Sequence, residues 1–543
     1  MSKAHRPAVQ GTRHTISSTH YLASMGGMRI LEQGGNAADA GVAAGMCINV
    51  VETHLTQFGG VAPIIYCPAS GGPVETISGL GRWPQAASAD YFRDHAGGDL
   101  PEGILRSVTP ASPDAWITAL ARFGTMTFEQ VVQPALELVK DWPERYPGQK
   151  DMATTFTRLI KAESGAGGNR HAGLRAARDL VYKGEIAREI AAFAEKEGGL
   201  LRMEDLTDFN VRVEPPEQIH YRGHDVYTCG PWCQGPSLLM ALNTLNQFDL
   251  ETMGHNTADY LHVLLEALKL TFADRHHYIG DPDFVQVPMA GLLSKAYGID
   301  RAGAISATQA APDMPAPGDP WARQSEPRRK NGSTGNASLP DREYAPTWER
   351  DTAYVCVVDG EGNAFSATPS DPIDWSPVIP GLGFSISARG SQSWLDPSHP
   401  SCLEPGKRPR LTPNPALVLK DGKPWMPFGC PGGDAQVQGM LQVFLNVVVF
   451  GMDPQEAIES PRVVSHSFPN SFWPHLSRPG EAVIETRIDG KVRQDLSDRG
   501  HTIVEDGEWS NGMSRVCAIV VDPETGLRSG GADPRGQSYA IGW

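Results

Sequence analysis

The chain has 543 residues, of which 40% are hydrophobic and 20% are charged, so it is long enough for several packed units of roughly 100–200 residues each. Its formal net charge of −16 disfavours binding to nucleic acid, whose phosphates attract Lys and Arg. Residues 1–10 are polar, and apolar runs such as Val443–Phe450 are far shorter than the roughly 20 residues of a membrane span, which predicts a cytoplasmic protein without membrane contact.

The eight cysteines are scattered, and only Cys229 and Cys233 lie close together, in Cys-Gly-Pro-Trp-Cys. This spacing resembles half of a zinc site, but no second pair of Cys or His residues with similar spacing follows, which favours buried free thiols. His276 and His277 are adjacent and would point apart on a helix, so they do not suggest a metal site. The sequence contains no phosphate loop or dinucleotide-binding motif. We therefore expect neither a metal nor a cofactor.

The first predicted helix covers Ala37–Met46. Asn36 is suited to cap its N-terminus, and its small side chains indicate close packing. A strand at Ile64–Tyr66 follows, and residues 107–140 are predicted to form helices and loops. A long amphipathic helix is predicted from about residue 257 to residue 274. Its apolar side chains recur at helical spacing: Leu261, Leu264, Leu265, Leu268 and Phe272.

The composition changes between residues 302 and 348, where Pro, Ala, Gly, Ser and Asn dominate. This composition predicts a flexible linker. After the linker, short β-type runs joined by tight turns predict antiparallel hairpins, together with one packed helix and a late strand. The predicted elements are the hairpins Thr352–Val358 with Asn363–Thr368 and Ala416–Leu419 with Trp425–Phe428, the helix Gln436–Phe450 and the strand Val516–Val521.

Thr352 stands where the predicted linker ends and the β-rich region begins. If the chain were cut before Thr352, this residue would carry both a hydroxyl nucleophile and a free α-amine that can activate the hydroxyl. The two groups together make a minimal hydrolase site. An α-amine has a pKa of roughly 7.7–8, so an appreciable fraction is neutral near pH 7 and can act as a base. A linker between two domains would have the same composition, so the linker alone is weak evidence.

Short blocks of sequence follow one another from about Ser18 to the C-terminus in an order typical of one family. They are Gly34–Ala40, Glu266–Lys269, Phe272–Arg275, Thr352 with Val357–Asp359, Gly362–Ala364, Gly406–Pro409, Pro431–Gly433, Ala457 with Pro461 and Arg462, and Gly530–Arg535. Each block alone is weak, because pairs of glycines usually mark turns. In this order they resemble the gamma-glutamyltransferase family.

The resemblance implies an α+β fold of the N-terminal nucleophile (Ntn) hydrolase type, a four-layer αββα sandwich with two stacked antiparallel sheets. It also implies self-cleavage between Asp351 and Thr352 into a large chain, 1–351, and a small chain, 352–543, which stay together as a heterodimer. Thr352 would be the nucleophile. The backbone N–H groups of Gly432 and Gly433 would bind the oxyanion, and Ser370 would supply a second hydroxyl that orients Thr352.

The sequence departs from the family where the amino-acid head of a glutamyl group is bound. The family's carboxylate-binding Arg falls on Leu80, although Arg82 lies two residues later, on the same face of a strand. The acid that holds the α-amine falls near Ser393, where no acid stands. Arg389 and Thr412 are alternative candidates for binding a carboxylate, and the guanidinium fork of an Arg suits this planar group.

These departures favour a small amide substrate that carries a carboxylate but no α-amine. This pattern resembles the cytoplasmic gamma-glutamyltransferase-like branch that includes oxamate amidohydrolase. Residues 373–380 are unlike the usual family loop and are expected to line a different pocket. One alternative is a true gamma-glutamyltransferase or glutathione hydrolase, and the other is an uncleaved, inactive binding homologue. The sequence does not separate hydrolysis from acyl transfer, since both pass through an acyl-enzyme.

Overall fold

The structure is a computed structural model, and it describes residues 4–328 and 351–543. The strands are β1 (Val9–Gly11), β2 (Thr15–Ser18), β3 (Ile64–Cys67), β4 (Glu75–Ile77), β5 (Val213–Glu214), β6 (Glu217–Tyr221), β7 (His224–Thr228), β8 (Val355–Val358), β9 (Ala364–Ala367), β10 (Ala416–Lys420), β11 (Lys423–Gly429), β12 (Val463–Ser465), β13 (Glu481–Ile484), β14 (Thr502–Glu505), β15 (Cys517–Val521), β16 (Arg528–Ala532) and β17 (Tyr539–Gly542).

The helices are α1 (Tyr21–Glu32), α2 (Ala37–Val51), α3 (Ala89–His95), α4 (Ser112–Phe123), α5 (Phe128–Asp141), α6 (Met152–Gly165), α7 (Arg170–Tyr182), α8 (Glu185–Lys196), α9 (Met203–Thr207), α10 (Gly235–Leu245), α11 (Leu250–Met253), α12 (Ala258–Tyr278), α13 (Met289–Leu292), α14 (Lys295–Ala302), α15 (Ala435–Val448), α16 (Pro454–Glu459) and α17 (Gly490–Asp498). The predicted helices and hairpins are confirmed, with ends that differ by a few residues.

Two antiparallel sheets of seven strands form the centre of the molecule. Sheet A has the strand order β1-β16-β15-β11-β10-β7-β6, and sheet B has the order β17-β2-β8-β9-β3-β4-β5. β12, β13 and β14 form a smaller, separate sheet. It contains a parallel pair, β13 with β14.

The alternation of side chains along β8 shows how the layers stack. Cys356 and Val358 belong to an apolar cluster between the sheets, together with Leu417 of sheet A. Val355 and Val357 point to the other face, into the core that sheet B shares with helices such as α2 and α5. The outer face of sheet A packs against α10, α12 and α15 in the same way. Both faces of the strand are buried, which explains its uninterrupted apolar sequence. The predicted αββα sandwich is confirmed.

The small side chains of α2 allow it to approach sheet B very closely. Asn36 caps the helix, and Asp39 completes a capping box by accepting a hydrogen bond from the backbone of Asn36. A Cβ atom on Gly41 would lie only 2.2 Å from the ring of Phe365 in β9. The predicted cap and close packing are therefore both present.

Helix α12 is buried on both of its faces, whereas the sequence pattern predicts one polar, exposed face. Its leucines pack into the core beside sheet A, as expected. On the opposite face, the ammonium of Lys269 lies 2.8 Å from the carboxylate of Glu266 and donates to Ala311 O at 2.6 Å. Asp274 pairs with Arg301 at 3.0 Å. Polar residues at these positions therefore pair inside the protein and do not face water.

Part of the predicted linker is packed against this helix. Residue Ala311 receives the hydrogen bond from Lys269, and Gly318 N donates to Asp274 at 2.9 Å. These contacts pack Ala311 and Gly318 against α12, which a linker composition did not predict for this part of the segment. The remainder of the predicted linker, residues 329–348, lies outside the described residues.

All eight cysteines are free and buried, as predicted. Burial raises the pKa of the Cys47, Cys430 and Cys517 thiols to about 12, so they stay protonated and unreactive near neutral pH. Within residues 4–328 and 351–543, the helices are too short or too polar to cross a membrane.

Candidate active site

The hairpin of β8 and β9 brings Thr352 and Ser370 together. Val355 pairs with Ala367 in the antiparallel register. Extending this register by three residues beyond each strand places Thr352 opposite Ser370. Their hydroxyl oxygens are 2.6 Å apart, which is a hydrogen-bonding distance, and both residues are fully buried. The predicted second hydroxyl thus lies directly beside the predicted nucleophile.

The backbone of Thr352 has an unusual conformation, with a φ angle of 78°. A positive φ is rare for a β-branched residue, because its Cβ crowds the adjacent carbonyl. Two hydrogen bonds hold the backbone there: Thr352 N donates to Leu55 O at 2.9 Å, and Ala353 N donates to Pro369 O at 2.8 Å. Strain of this kind typically costs about 1–3 kcal/mol. It falls on the residue that follows the predicted cleavage bond.

Arg389 places a buried positive charge beside the two hydroxyls. Its Nη2 atom donates to the Ser370 hydroxyl and lies 2.7 Å from Asp351 Oδ2. Its Nε atom is 4.0 Å from the carboxylate of Asp371. Arg389, Asp351 and Asp371 have almost no exposed surface, so their charges interact with little screening by water. Through its contact with Ser370, this cation is positioned to stabilise negative charge that would develop on the neighbouring Thr352 oxygen.

Two aromatic rings cover the Arg389 guanidinium: Trp375 at 5.3 Å and Phe472 at 5.5 Å from its central carbon. Trp375 belongs to residues 373–380, the segment expected to line a different pocket. In the part of the chain that the structure describes, Nε and Nη1 of Arg389 have no hydrogen-bond partner. A guanidinium has five N–H donors, so Arg389 keeps unused capacity for an anion.

The loop Pro431-Gly432-Gly433 lies next to the start of α15. Gly432 has a φ of 118° and Gly433 a φ of 54°, both in the region that favours glycine. A Cβ on Gly432 would also lie 2.9 Å from Ser514 Oγ. Among the described residues, the N–H groups of these two glycines have no hydrogen-bond acceptor. Such a pair of free donors ahead of a helix suits an oxyanion.

A network of buried side chains fixes the position of this loop. Gln234 Nε2 donates to Gly433 O at 3.0 Å and to Thr412 O at 2.8 Å, and its oxygen accepts from Arg275 Nη1 at 2.8 Å. Arg275 also forms an ion pair with Asp434. Sequence reasoning missed this network, because nothing near Gln234 in the chain indicates that it reaches Gly433.

Replacing Gln234 with Leu is expected to lower kcat about tenfold and to leave KM nearly unchanged. The loop would lose its anchor but keep both N–H donors. The effect should therefore be smaller than the roughly 100–1,000-fold loss that follows removal of an oxyanion donor. Steady-state kinetics on processed enzyme measure this change. Gln442→Leu is the matched control, because its amide bonds Val463 O instead. An equal loss of kcat in both variants would contradict the positioning role.

A cavity of about 610 Å³ opens beside these groups and is lined by Asp351, Gly432 and Gly433. Its other walls carry both charged side chains, such as Arg145 and Arg515, and apolar ones, such as Phe468 and Leu476. The cavity gives a substrate access to the free N–H groups. This mixed lining suits a small ligand that has both polar and apolar groups.

The structure places Arg82 in another charge cluster, and neither Arg82 nor Arg389 lines this cavity. Burial, followed by the charges of Arg212 and Arg408, lowers the pKa of Arg82, while the carboxylates of Asp281 and Asp283 oppose that change. Of the two candidate arginines, Arg389 is the one that contacts Ser370.

The two positions where the family binds the amino-acid head carry no charge here. Leu80 packs into a buried apolar cluster with Trp232 and Leu411. Ser393 Oγ accepts a hydrogen bond from Trp83 Nε1 at 2.8 Å. Thr412 is the third predicted substrate-binding residue, and its hydroxyl accepts a hydrogen bond from Gln392 Nε2 at 2.7 Å. Its backbone carbonyl accepts from Gln234 Nε2, which connects Thr412 to the loop of Gly432 and Gly433.

Asp371 is a buried acid that sequence reasoning did not assign to the site. Its carboxylate accepts hydrogen bonds from the Ser387 hydroxyl and from Ala388 N, which orients the segment that leads to Arg389. Burial raises the pKa of Asp371 to about 6, against the opposing charge of Arg389. Its place directly after Ser370 in Thr-Pro-Ser-Asp is the sequence signal that could have identified it.

The raised pKa of Asp371 predicts a specific dependence of stability on pH. An unfolded Asp has a pKa of about 3.9, so the folded state binds this proton more tightly. The resulting stabilisation is present below about pH 4 and is lost as the pH rises through about 6. Between about pH 5 and 7.5, Asp371 should therefore remove about 1 kcal/mol from the free energy of unfolding.

Urea unfolding of an uncleaved Thr352→Ala chain, with and without Asp371→Asn, measures this contribution at the two pH values. All other titrating groups are shared, so they cancel in the comparison. Parallel pH dependence in the two chains would show that Asp371 titrates normally.

The paired hydroxyls, the free N–H groups and the two stacked antiparallel sheets are the arrangement of an N-terminal nucleophile hydrolase. The family model described as Gamma-glutamyltranspeptidase matches residues 23–142 and 143–543, so the chain belongs to this family. It is therefore an enzyme that acts on amide bonds, as a hydrolase or an acyl transferase.

Known proteins resemble the chain over nearly its whole length. It is 31% identical to the glutathione hydrolase-like YwrD proenzyme of Bacillus subtilis (strain 168), over 98% of this chain and 99% of that protein. The solved structure of LmbA2991HD has a TM-score of 0.90 and 34% identity, covering 99% of this chain and 100% of that one. Cephalosporin acylase from Bacillus halodurans has a TM-score of 0.81 and 27% identity, covering 99% and 97%.

Proposed function

We propose that the protein is an amidohydrolase that activates itself by cleaving the bond between Asp351 and Thr352. The observation that carries this proposal is the buried contact of 2.6 Å between the Thr352 and Ser370 hydroxyls, beside Arg389. The relatives described as proenzymes favour the same activation. The product would be a large chain, 1–351, and a small chain, 352–543, that act together as a heterodimer.

The proposed cleavage is an N→O acyl shift. The Thr352 hydroxyl oxygen attacks the Asp351 carbonyl carbon, the C–N bond breaks, and the nitrogen takes the proton. Water then hydrolyses the ester, which leaves a carboxylate on Asp351 and a free α-amine on Thr352. The positive φ of 78° at Thr352 favours this step, because cutting the peptide bond releases the backbone constraint.

The free α-amine then acts as the base for turnover. It sits on the same residue as the hydroxyl, so covalent geometry supplies proximity. The hydroxyl oxygen attacks the substrate amide, the amine of the substrate leaves with a proton, and water hydrolyses the acyl-enzyme. Gly432 and Gly433 donate to the oxyanion of each tetrahedral intermediate, and Ser370 keeps Thr352 oriented.

A carboxylate-bearing amide without an α-amine is the substrate that this site favours. Arg389 is buried, carries unused donors and lies next to the nucleophile. A carboxylate would satisfy the Nε and Nη1 donors, which no group among the described residues satisfies. The positions of Leu80 and Ser393 offer no charged partner for an ammonium group. The acylase and glutathione hydrolase-like relatives are compatible with an amide as the reacting bond.

Mass spectrometry of purified protein tests the proposal. We expect two chains, with Thr352 as the first residue of the smaller one. A panel of small amides should then leave a trapped acyl group on that same residue after acid quenching. An acyl group on any other residue would overturn the assignment of the nucleophile.

A further inference from the structure

The side chain of Asp351 occupies the anion position of the site in the uncleaved chain. Its Oδ2 atom lies 2.7 Å from Arg389 Nη2 and accepts from the Ser370 hydroxyl at 3.2 Å. Its Oδ1 atom lies 3.8 Å from the place that a Cβ on Gly433 would take. The carboxylate of Asp351 therefore lies close to Thr352, to the loop Pro431-Gly432-Gly433 and to the buried Arg389.

We propose that Asp351 is a built-in analogue of the substrate and that the acyl group of the substrate is four carbons long. This inference rests on the proposed function. The same Thr352 oxygen attacks the Asp351 carbonyl during activation and the substrate carbonyl during turnover, so both acyl groups occupy one site. In Asp351, two carbons, Cα and Cβ, separate the reacting carbonyl from the carboxylate. Amides of the succinamic acid class have the same spacing.

Charge explains why a substrate anion would replace this side chain. Once the chain is cut, the end that carries Asp351 is free to leave, and Arg389 keeps only Asp371 nearby, at 4.0 Å. Nε and Nη1 of Arg389 already lack partners among the described residues. Because Trp375 and Phe472 cover the guanidinium, water would solvate it less well than it solvates an exposed arginine. A carboxylate that enters with the substrate restores the lost ion pair.

The distance between the Thr352 hydroxyl and the Arg389 guanidinium selects the length of the acyl group. A chain with fewer carbons cannot reach Arg389 while its carbonyl lies at Thr352, and a longer chain must fold to fit. A γ-glutamyl group has three carbons between its carbonyl and its carboxylate, and it also carries an ammonium group. That ammonium would lie close to Arg389, where like charges repel. The inference therefore separates this enzyme from a glutathione hydrolase.

The reaction is an ordinary hydrolysis and needs no further reactant. The Thr352 oxygen forms an ester with the acyl carbon, the C–N bond breaks, and the nitrogen leaves as ammonia or an amine after taking a proton. Water attacks the ester, which releases a dicarboxylate and restores the hydroxyl. For succinamate, the products are succinate and ammonia.

The first test compares amides that differ only in length, with processed wild-type enzyme and ammonia release as the readout. The series is oxamate, malonamate, succinamate and glutaramate, with butyramide as the uncharged control. We expect kcat/KM for succinamate to exceed that of each neighbour about tenfold or more, since one methylene is worth roughly 10–200-fold in selectivity. Faster turnover of oxamate or glutaramate would overturn the four-carbon assignment.

The outcomes of this series also separate the two proposals. If amides are cleaved with another length preference, the amidohydrolase proposal stands and only the substrate length is wrong. If no amide is cleaved and no acyl group forms on Thr352, the proposed function fails and the inference fails with it.

The second test measures occupancy of the anion position directly. Trp375 lies over Arg389, so its fluorescence should report a bound dicarboxylate. We expect succinate to bind the uncleaved Asp351→Ala, Thr352→Ala chain at least tenfold more tightly than the uncleaved Thr352→Ala chain, in which Asp351 fills the site. Equal affinity for both chains would contradict the proposal.

A measurement on processed wild-type enzyme does not depend on the folding of these variants. Oxalate, malonate, succinate and glutarate are compared as competitive inhibitors of amide turnover. Succinate should have the lowest inhibition constant. A lower constant for any of the others would contradict the proposal that Asp351 mimics a four-carbon acyl group.

Discussion

Replacing Thr352 with Ala is expected to leave the protein as one chain of 543 residues and to abolish amide turnover. The substitution removes the oxygen that both reactions require. Ser370 cannot replace it, because Ser370 does not follow Asp351 in the chain and has no free α-amine. Removal of a catalytic nucleophile typically lowers kcat by roughly 10⁴–10⁶-fold. A denaturing gel after long incubation and a sensitive assay of amide release measure the two effects.

Two further variants separate the loss of chemistry from a loss of folding. Thr352→Ser keeps the hydroxyl, so it should still cleave, although more slowly, because Ser packs less firmly. Ser370→Ala keeps the nucleophile but removes its neighbour at 2.6 Å, so slower cleavage is expected without complete loss. Full cleavage or wild-type turnover by Thr352→Ala would remove the basis of the proposed mechanism.

Replacing Arg389 with Leu is expected to lower kcat/KM for carboxylate-bearing amides roughly 100-fold or more, with a much smaller effect on uncharged amides. The substitution removes the one cation that contacts Ser370 and Asp351 within the described residues. Truncating one member of a buried charge pair typically costs about 2–5 kcal/mol. Leu also keeps some contact with Trp375 and Phe472, so the loss should reflect charge more than packing.

The control for Arg389→Leu is Arg82→Leu, because both arginines were candidates for binding the substrate carboxylate. Arg82 lies among Arg212, Arg408, Asp281 and Asp283, and its substitution should leave the ratio between charged and uncharged amides unchanged. Both the Arg389→Leu and the Arg82→Leu chains should also carry Asp351→Asn, so that the uncleaved Arg389→Leu form does not bury Asp351 as an unpaired carboxylate. A selective loss in Arg82→Leu but not in Arg389→Leu would reverse the assignment.

The local elements of the fold could be predicted because their signals lie close together in the sequence. The turn at Asp359–Gly362 fixes the register of β8 and β9, and that register places Thr352 opposite Ser370. The cap at Asn36 and the hairpin at Asp421-Gly422 are local signals of the same kind. The site residues that belong to family motifs, such as Gly432 and Gly433, line the cavity beside Asp351.

Contacts between distant segments could not be read from the sequence. Arg389 and Arg82 are equally plausible as isolated arginines, and only the folded chain shows which of them meets Ser370. Gln234 reaches Gly433 across 199 positions of the chain. The polar residues of α12 looked solvent-exposed because some of their partners, such as Ala311 and Gly318, come from a segment with a linker-like composition. Asp371 has a raised pKa only because several segments bury it together.

The strand order of the two sheets determines how reversibly the cleaved enzyme would unfold. Sheet A takes β1, β6 and β7 from residues 1–351 and its other strands from residues 352–543, and sheet B is mixed in the same manner. The proposed cut after Asp351 would therefore leave two polypeptides that each contribute strands to both sheets, and neither could dissociate without unfolding the core. Before the cut, refolding is unimolecular; afterwards it becomes a second-order encounter of two fragments. The proposed activation would thus make denaturation hard to reverse at low concentration, and the persistence of the cleaved form would depend on how slowly it unfolds.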